Sequence, residues 1–154
     1  MARTFITYKE EKGFEINEVF MQLAINYVYA EAKKAQYVFS NKQELIEDFE
    51  DKINGIQNGW MVLGWYDDVI TSSTEEHTML QILQNVKTIL ESKGKYISIG
   101  ELQAIPTGDD NFKTLYSRNP FPVAELIKII DALIKMLQGT WDSTNYSMDI
   151  NYQY

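Results

Sequence analysis

The chain has no cysteine, a single histidine, and few residues that break regular structure, with 3 Pro and 8 Gly among 154 residues. Without cysteine there is no disulfide, no thiol nucleophile and no thiolate metal site, a composition that fits a reducing compartment. One histidine cannot build a His-rich zinc site. That residue, His77, follows two glutamates in the first turn of a predicted helix, and no Gly-x-Ser-x-Gly turn accompanies any serine. A Ser-His-Asp triad is therefore not legible, and His77 is expected to be exposed and idle. Neither Gly-x-x-x-x-Gly-Lys nor Gly-x-Gly-x-x-Gly occurs, so nucleotide binding through a phosphate-cradling turn has no support. No apolar run is long enough to span a bilayer, and the opening MARTFITYKEEKGF lacks the apolar stretch of a secretory signal. Cytoplasmic residence is the expectation.

Positive charge is also scarce. Twenty-two acidic residues stand against 14 basic ones, a formal net charge of −8. Such a surface repels phosphate backbones and anionic lipid, having no excess Lys and Arg to displace counterions. Nucleic-acid and membrane partners are not expected; a basic protein is. Net negative charge also serves solubility alone.

What is present looks like an ordinary globular chain, 45% hydrophobic and 23% charged. No composition shift marks a boundary, so residues 1–154 are read as one helical domain with terminal strands, burying roughly two-thirds of the surface of the unfolded chain. RTFITY reads as a strand from about Thr4 to Tyr8, turned by KEEKG. Ile16, Val19, Phe20, Leu23, Tyr27 and Ala30 recur at helical spacing, with Asn17 as N-cap, predicting a helix to about Gln36. A second helix is capped by Asn41 with Glu44 in capping-box spacing, and Leu45, Phe49, Ile53 and Ile56 form its stripe. Trp60 and Leu63 continue its spacing, so the helix either runs on through GWMVLGWYDD or ends near Gly59 before an extended piece, the preferred reading. Both place Met61, Leu63 and Trp65 in the core together with Trp60. Ser72 with Glu75 starts a third helix, whose inner residues are Met79, Ile82, Leu83, Val86, Ile89 and Leu90, and which stops at Lys93-Gly94. Ser98 and Glu101 predict a short helix ended by Pro106, followed by a surface loop that Phe112, Leu115 and Tyr116 pin down. Pro122 is placed first in a last helix that Gly139 closes. Tyr146, Met148, Ile150, Tyr152 and Tyr154 alternate with polar residues and predict a strand. Its expected partner is TFITY or a second chain, the latter giving a homodimer through the C-terminal strand. The fold class is mainly α: a four-helix, bundle-like core with a small β element formed by the N- and C-terminal strands.

Carboxylates and aromatics are what could carry function. Glu44, Glu47, Asp48 and Asp51 fall on the side of the second helix opposite its apolar stripe. Oxygen ligands at this spacing hold Mg²⁺ or Mn²⁺ in helical bundles, but only with a second acidic pair on a facing helix. Glu75, Glu76 and Glu91 stand only at the ends of the third helix, and Asp131 lies between Lys128 and Lys135, which reads as a surface ion-pair ladder. Asp67-Asp68 and Asp109-Asp110 lack the alternating ligands and central glycine of an EF-hand. No metal, cofactor or catalytic residue is assigned. Asn145-Tyr146-Ser147 matches the glycosylation triplet, which arises often by chance. Trp141, Tyr146, Tyr152 and Tyr154 crowd the end of the chain, and Tyr favours sites where one end is apolar and the other wet. The expectation is a non-enzymatic, acidic protein-binding module, of the kind of an immunity protein that inhibits a basic toxin or nuclease. Its contact residues would be Glu44, Glu47, Asp48, Asp51, Asp67, Asp68, Trp141, Tyr152 and Tyr154. The alternative is a Mg- or Mn-dependent helical-bundle hydrolase acting on a phosphorylated substrate, using Glu44, Glu47 and Asp48 with Asp67 or Asp68.

Overall fold

Asn17 caps the helix on which the rest of the molecule is assembled: its side chain accepts a hydrogen bond from Val19 N–H. The computed structural model describes residues 2–59, 61–63, 65 and 69–154. Among these, the elements are β1 (Arg3–Thr7), β2 (Gly13–Asn17), α1 (Glu18–Ala32), α2 (Lys42–Ile53), α3 (Ser73–Glu91), β3 (Tyr96–Ile97), α4 (Ile99–Ala104), α5 (Asp110–Leu115), β4 (Phe121–Pro122), α6 (Val123–Gln138) and β5 (Tyr146–Ser147). The chain is mainly α with a small β element, as its periodicity predicts.

Every residue of α1 from Glu18 to Ile25 is buried. A stretch of helix without a wet face must be surrounded, and α1 packs against α2, α3 and α6 as well as β2. The one-sided stripe read from the sequence is thus too narrow. The start and end of α1 also differ from expectation. Ile16 belongs to β2, which runs into the helix without a linker; the helix stops at Ala32 rather than Gln36, and Ala30 is exposed.

The sheet corrects the pairing of the terminal strands. β1 and β2 form an antiparallel hairpin, from Arg3 opposite Asn17 to Thr7 opposite Gly13, and β5 joins β2 in parallel. The C-terminal strand therefore pairs within one chain, with Gly13–Asn17 rather than with TFITY. A hairpin closed by a few residues costs little loop entropy and leaves β2 between its two neighbours. The predicted strand from Tyr146 to Tyr154 is also mostly not one. Met148 N–H still donates to Glu15 O at 2.8 Å, but β2 enters α1 at Asn17 and offers no further backbone to pair.

Tyr8 N–H donates to Lys12 O and Lys12 N–H to Lys9 O, with Glu10 and Glu11 at φ 60° and 58°. Two successive positive φ values are the sign pattern of a type I′ turn, where Asn-Gly is preferred. Gly13, just after the turn, is required for a different reason: a Cβ there would overlap the carbonyl oxygen of Ile6.

Helix α2 ends at Ile53, six residues before Gly59. Gly55, at φ 76°, donates to Lys52 O, and Ile56 N–H to Asp51 O, the paired bonds of a Schellman ending. Ile56 consequently leaves the stripe and is 64% exposed. Asn41 stands at the N-cap position, but its side chain makes no capping hydrogen bond, so the expected capping box does not form. Met61, Leu63 and Trp65 are buried as expected, and Ile70 N–H donates to Trp65 O at 2.8 Å. Trp60 lies outside the described residues.

Ser72 and Ser98 cap α3 and α4 by accepting from Glu75 and Glu101 N–H. Ile89, expected inside, is exposed. The expected loop after Pro106 contains α5, which Asp109 caps by accepting from Asn111 and Phe112 N–H; Phe112 and Tyr116 are buried and pin it. Pro122 occupies the N-cap of α6 and pairs in β4 with Tyr96, rather than opening the helix. Gly139 closes α6 at φ 75°. The buried apolar side chains form one contiguous core.

The hairpin allows two opposite outcomes in urea unfolding. Gly13→Ala should lose about 2–3 kcal/mol, because the obstacle is backbone and cannot rotate away. Glu11→Gly should gain about 0.5–1 kcal/mol by relieving a left-handed non-glycine residue. Equal stability of either variant with the wild type would contradict this account of the turn.

Candidate functional site

The acidic face of α2 follows from its apolar one. Leu45, Phe49 and Ile53, four residues apart, turn inward, which leaves Glu44, Glu47 and Asp51 exposed on the far side. Asp48, expected among them, lies at the border. Its Oδ2 accepts from Lys52 Nζ at 2.5 Å and its Oδ1 from Gln57 Nε2 at 2.9 Å. Lys52 is only 1% exposed; burial pushes its ammonium pKa down while Asp48 opposes the shift. Asp48 is thus engaged in neutralising an inward-turned lysine. Lys52 stands on the apolar side of the helix one turn after Asp48, and this i, i+4 spacing is the signal in the sequence for their pairing.

Glu50 takes the place that Asp48 leaves. It is exposed, and Tyr29 OH donates to it at 3.3 Å. Glu47 accepts from Gln43 Nε2 at 2.9 Å. Among the described residues, none of Glu44, Glu47, Glu50 and Asp51 is in an ion pair.

Most other carboxylates are used by the fold. Glu31 takes Tyr37 OH and Lys34, Glu101 takes Tyr27 OH and Lys93, and Glu125 takes Lys128 and the amide of Asn151. Asp109 caps α5 with one oxygen and accepts from Gln22 and Asn58 with the other. Asp131 pairs with Lys87 of α3 at 2.8 Å, and Lys128 with Glu125, so the ladder expected along α6 is instead a bridge between helices.

The aromatic residues proposed as contacts serve the interior in part. Trp141 is half-buried: its Nε1–H donates to Gly13 O at 2.8 Å, and its ring meets Phe14 and Tyr146 edge-on. Tyr152 is buried, donates its hydroxyl to Asn119 O at 2.8 Å, and packs on Phe20, Tyr116 and Phe121. Tyr154 is 45% exposed beside Phe20 and Tyr152. Asp67 and Asp68 lie outside the described residues.

Among the described residues, no three His, Asp or Glu side chains converge closely enough to hold a metal ion. His77 is exposed. No helix of the described residues is long and apolar enough to cross a membrane. No protein family matches the chain, and neither does any curated protein or solved structure.

Glu75 shows what a carboxylate used by the fold contributes. It is 6% exposed; one oxygen accepts from Thr71 N–H and the Thr71 hydroxyl, the other from Ser40 N–H at 2.6 Å. The Thr71 hydroxyl and then the Ser40 amide hold its carboxyl below the usual carboxylate range. A depressed folded-state pKa gives stability that is present above the unfolded pKa and is lost as pH falls through the folded one. Both oxygens accept, so an amide cannot replace the carboxylate. Glu75→Gln should cost about 1–3 kcal/mol at pH 7 in chemical denaturation. The gap to wild type should narrow below about pH 4, once the unfolded wild type binds its proton. A gap independent of pH would assign the loss to shape alone.

Proposed function

We propose that the protein is a non-enzymatic binding module that recognises a basic protein through the outer face of α2. The supporting observation is the contrast between acids. Those elsewhere largely cap helices, anchor hydroxyls or pair with lysines, whereas Glu44, Glu47, Glu50 and Asp51 share the exposed face of α2 and form no ion pair among the described residues. Like charges on neighbouring turns repel one another, and a net charge of −8 adds to the repulsion. A cationic partner would relieve both, and its approach would be steered by the same field. An inhibitor that covers a basic toxin or nuclease, in the manner of an immunity protein, is one form such a module takes. Tyr154 supplies an exposed ring of the kind enriched at protein interfaces. Asp48 and Tyr152 act on this reading as supports behind the surface.

The test is a complex with a cationic protein recovered from the native host at low ionic strength. Its affinity should fall with salt. Replacing Glu44, Glu47 and Glu50 by Gln and Asp51 by Asn should weaken it at least about tenfold, while stability stays within about 1 kcal/mol of wild type. Unchanged affinity in that variant would remove α2 from the interface. Mg²⁺ or Mn²⁺ should leave the melting temperature unaltered; a rise abolished by Glu47→Gln would favour metal-dependent hydrolysis instead.

A further inference from the structure

A cleft of about 340 Å³ opens where the β1–β2 turn meets the start of α3 and the end of α6, lined by Tyr8, Lys9, Glu76, Leu137 and Trp141, among other residues. A second cleft of about 250 Å³, at the first turn of α3, shares Tyr8, Lys9 and Glu76. Glu76 is therefore common to both. Its Oε2 accepts from Tyr8 OH at 2.8 Å and from Lys9 Nζ at 3.1 Å, and its Oε1 has no partner among the described residues. The Lys9 ammonium also stands 5.5 Å from the centre of the Tyr8 ring. The molecule thus seats a cation of its own on a carboxylate and an aromatic face, the two surfaces that attract cations most. The hold is light, because the Lys9 side chain is 59% exposed whereas that of Glu76 is 25% exposed.

Lys12 also lines the cleft, but its ammonium is paired with Glu10 at 3.0 Å and with Asp142 at 3.6 Å. The wall beyond these ions suits a long side chain with a charged end. Leu137 and the Trp141 ring provide an apolar wall, and the end of α6 carries the negative pole of its helix. A lysine ammonium engages only one oxygen of Glu76 here. A planar guanidinium reaches both oxygens of a carboxylate at once and stacks on aromatic faces.

We propose that this cleft receives an arginine side chain of the basic partner, its guanidinium replacing the Lys9 ammonium on Glu76. The inference rests on the binding-module reading and adds a second point of contact to it, remote in sequence from α2. Lys9 then acts as a built-in stand-in for the partner's cation. Burial opposes ionisation of Glu76, but the Tyr8 and Lys9 hydrogen bonds outweigh it and hold the carboxyl below its usual range, so the acceptor is charged at neutral pH.

The experiment is a titration of the full chain with hexa-arginine, followed by two-dimensional NMR at the Trp141 indole N–H and at the amides of α2. The Trp141 signal should shift saturably. Glu76→Gln should weaken that response about tenfold, as expected for loss of a charge-assisted pair. Lys9→Met, which removes the competing ammonium, should tighten it about threefold or more while leaving the α2 response unchanged, a gain that misfolding cannot imitate. Hexalysine should bind the cleft less tightly than hexa-arginine. A silent Trp141 signal, or Glu76→Gln and Lys9→Met variants that titrate like wild type, would overturn the proposal. Shifts on α2 with Trp141 silent would remove the cleft and keep the module; silence at both would remove both; a shift at Trp141 alone would keep the cleft and exclude α2.

Discussion

Burying the first half of α1 on every side is the constraint from which the rest of the arrangement follows. A helix so enclosed cannot send its polar side chains to water, so they turn to partners inside the protein, although Glu18 Oε2 has none among the described residues. Gln22 donates to the carbonyl of Ile53, at the end of α2, and to Asp109, the cap of α5. Glu18 accepts the amide of Gly59 at 2.7 Å, and Glu31 takes the hydroxyl of Tyr37. Tyr116, from beyond α5, donates to the carbonyl of Val19 at 2.9 Å. These bonds do more than satisfy buried groups. They tie the ends of α2 and α5 and the segments after α1 and α2 to one axis, so the irregular parts of the chain are located by the helix they surround.

The same demand sorts the carboxylates. Where an acid stands close to an orphan amide, hydroxyl or ammonium it is drawn into the fold, as at Asp48, Glu75, Glu101 and Asp109. Helix α2 packs chiefly on α1; its outer acids keep only exposed contacts, Gln43 with Glu47 and Tyr29 with Glu50, and form no ion pair among the described residues. Replacing acids placed this way costs the fold little, because removing surface charge leaves no buried group without a partner. The hairpin turn is the other place where local preference is overridden. Its left-handed Glu10 and Glu11 persist because strands on both sides of the turn, and the sheet they build, determine the path of the chain.

Helix caps and long apolar stripes were legible in the residues. Asn17, Ser72, Ser98 and Gly139 end or start helices where their chemistry says they should, since capping is a contact between residues two to four apart. The exposure of Glu44, Glu47 and Asp51 was legible for the same reason. Strand β2 was not, because Gly13–Asn17 runs into α1 and its apolar residues blend with the helical pattern that follows. Nor was α5, whose cap at Asp109 lies among loop-forming residues, nor the engagement of Asp48 by Lys52, which depends on which side of α2 is covered.

The sequence by itself determined the class of fold, the helix signals that depend on near neighbours, and the acidic surface, because periodicity, capping and charge act over a few residues. Tertiary structure alone decided that β5 pairs with β2, that α1 is enclosed rather than one-sided, that Tyr152 faces inward, and that Lys9, Glu76 and Trp141 line one cleft. Those outcomes join residues dozens of positions apart, where the competing arrangements share the same local preferences and only the packing of the whole chain separates their energies.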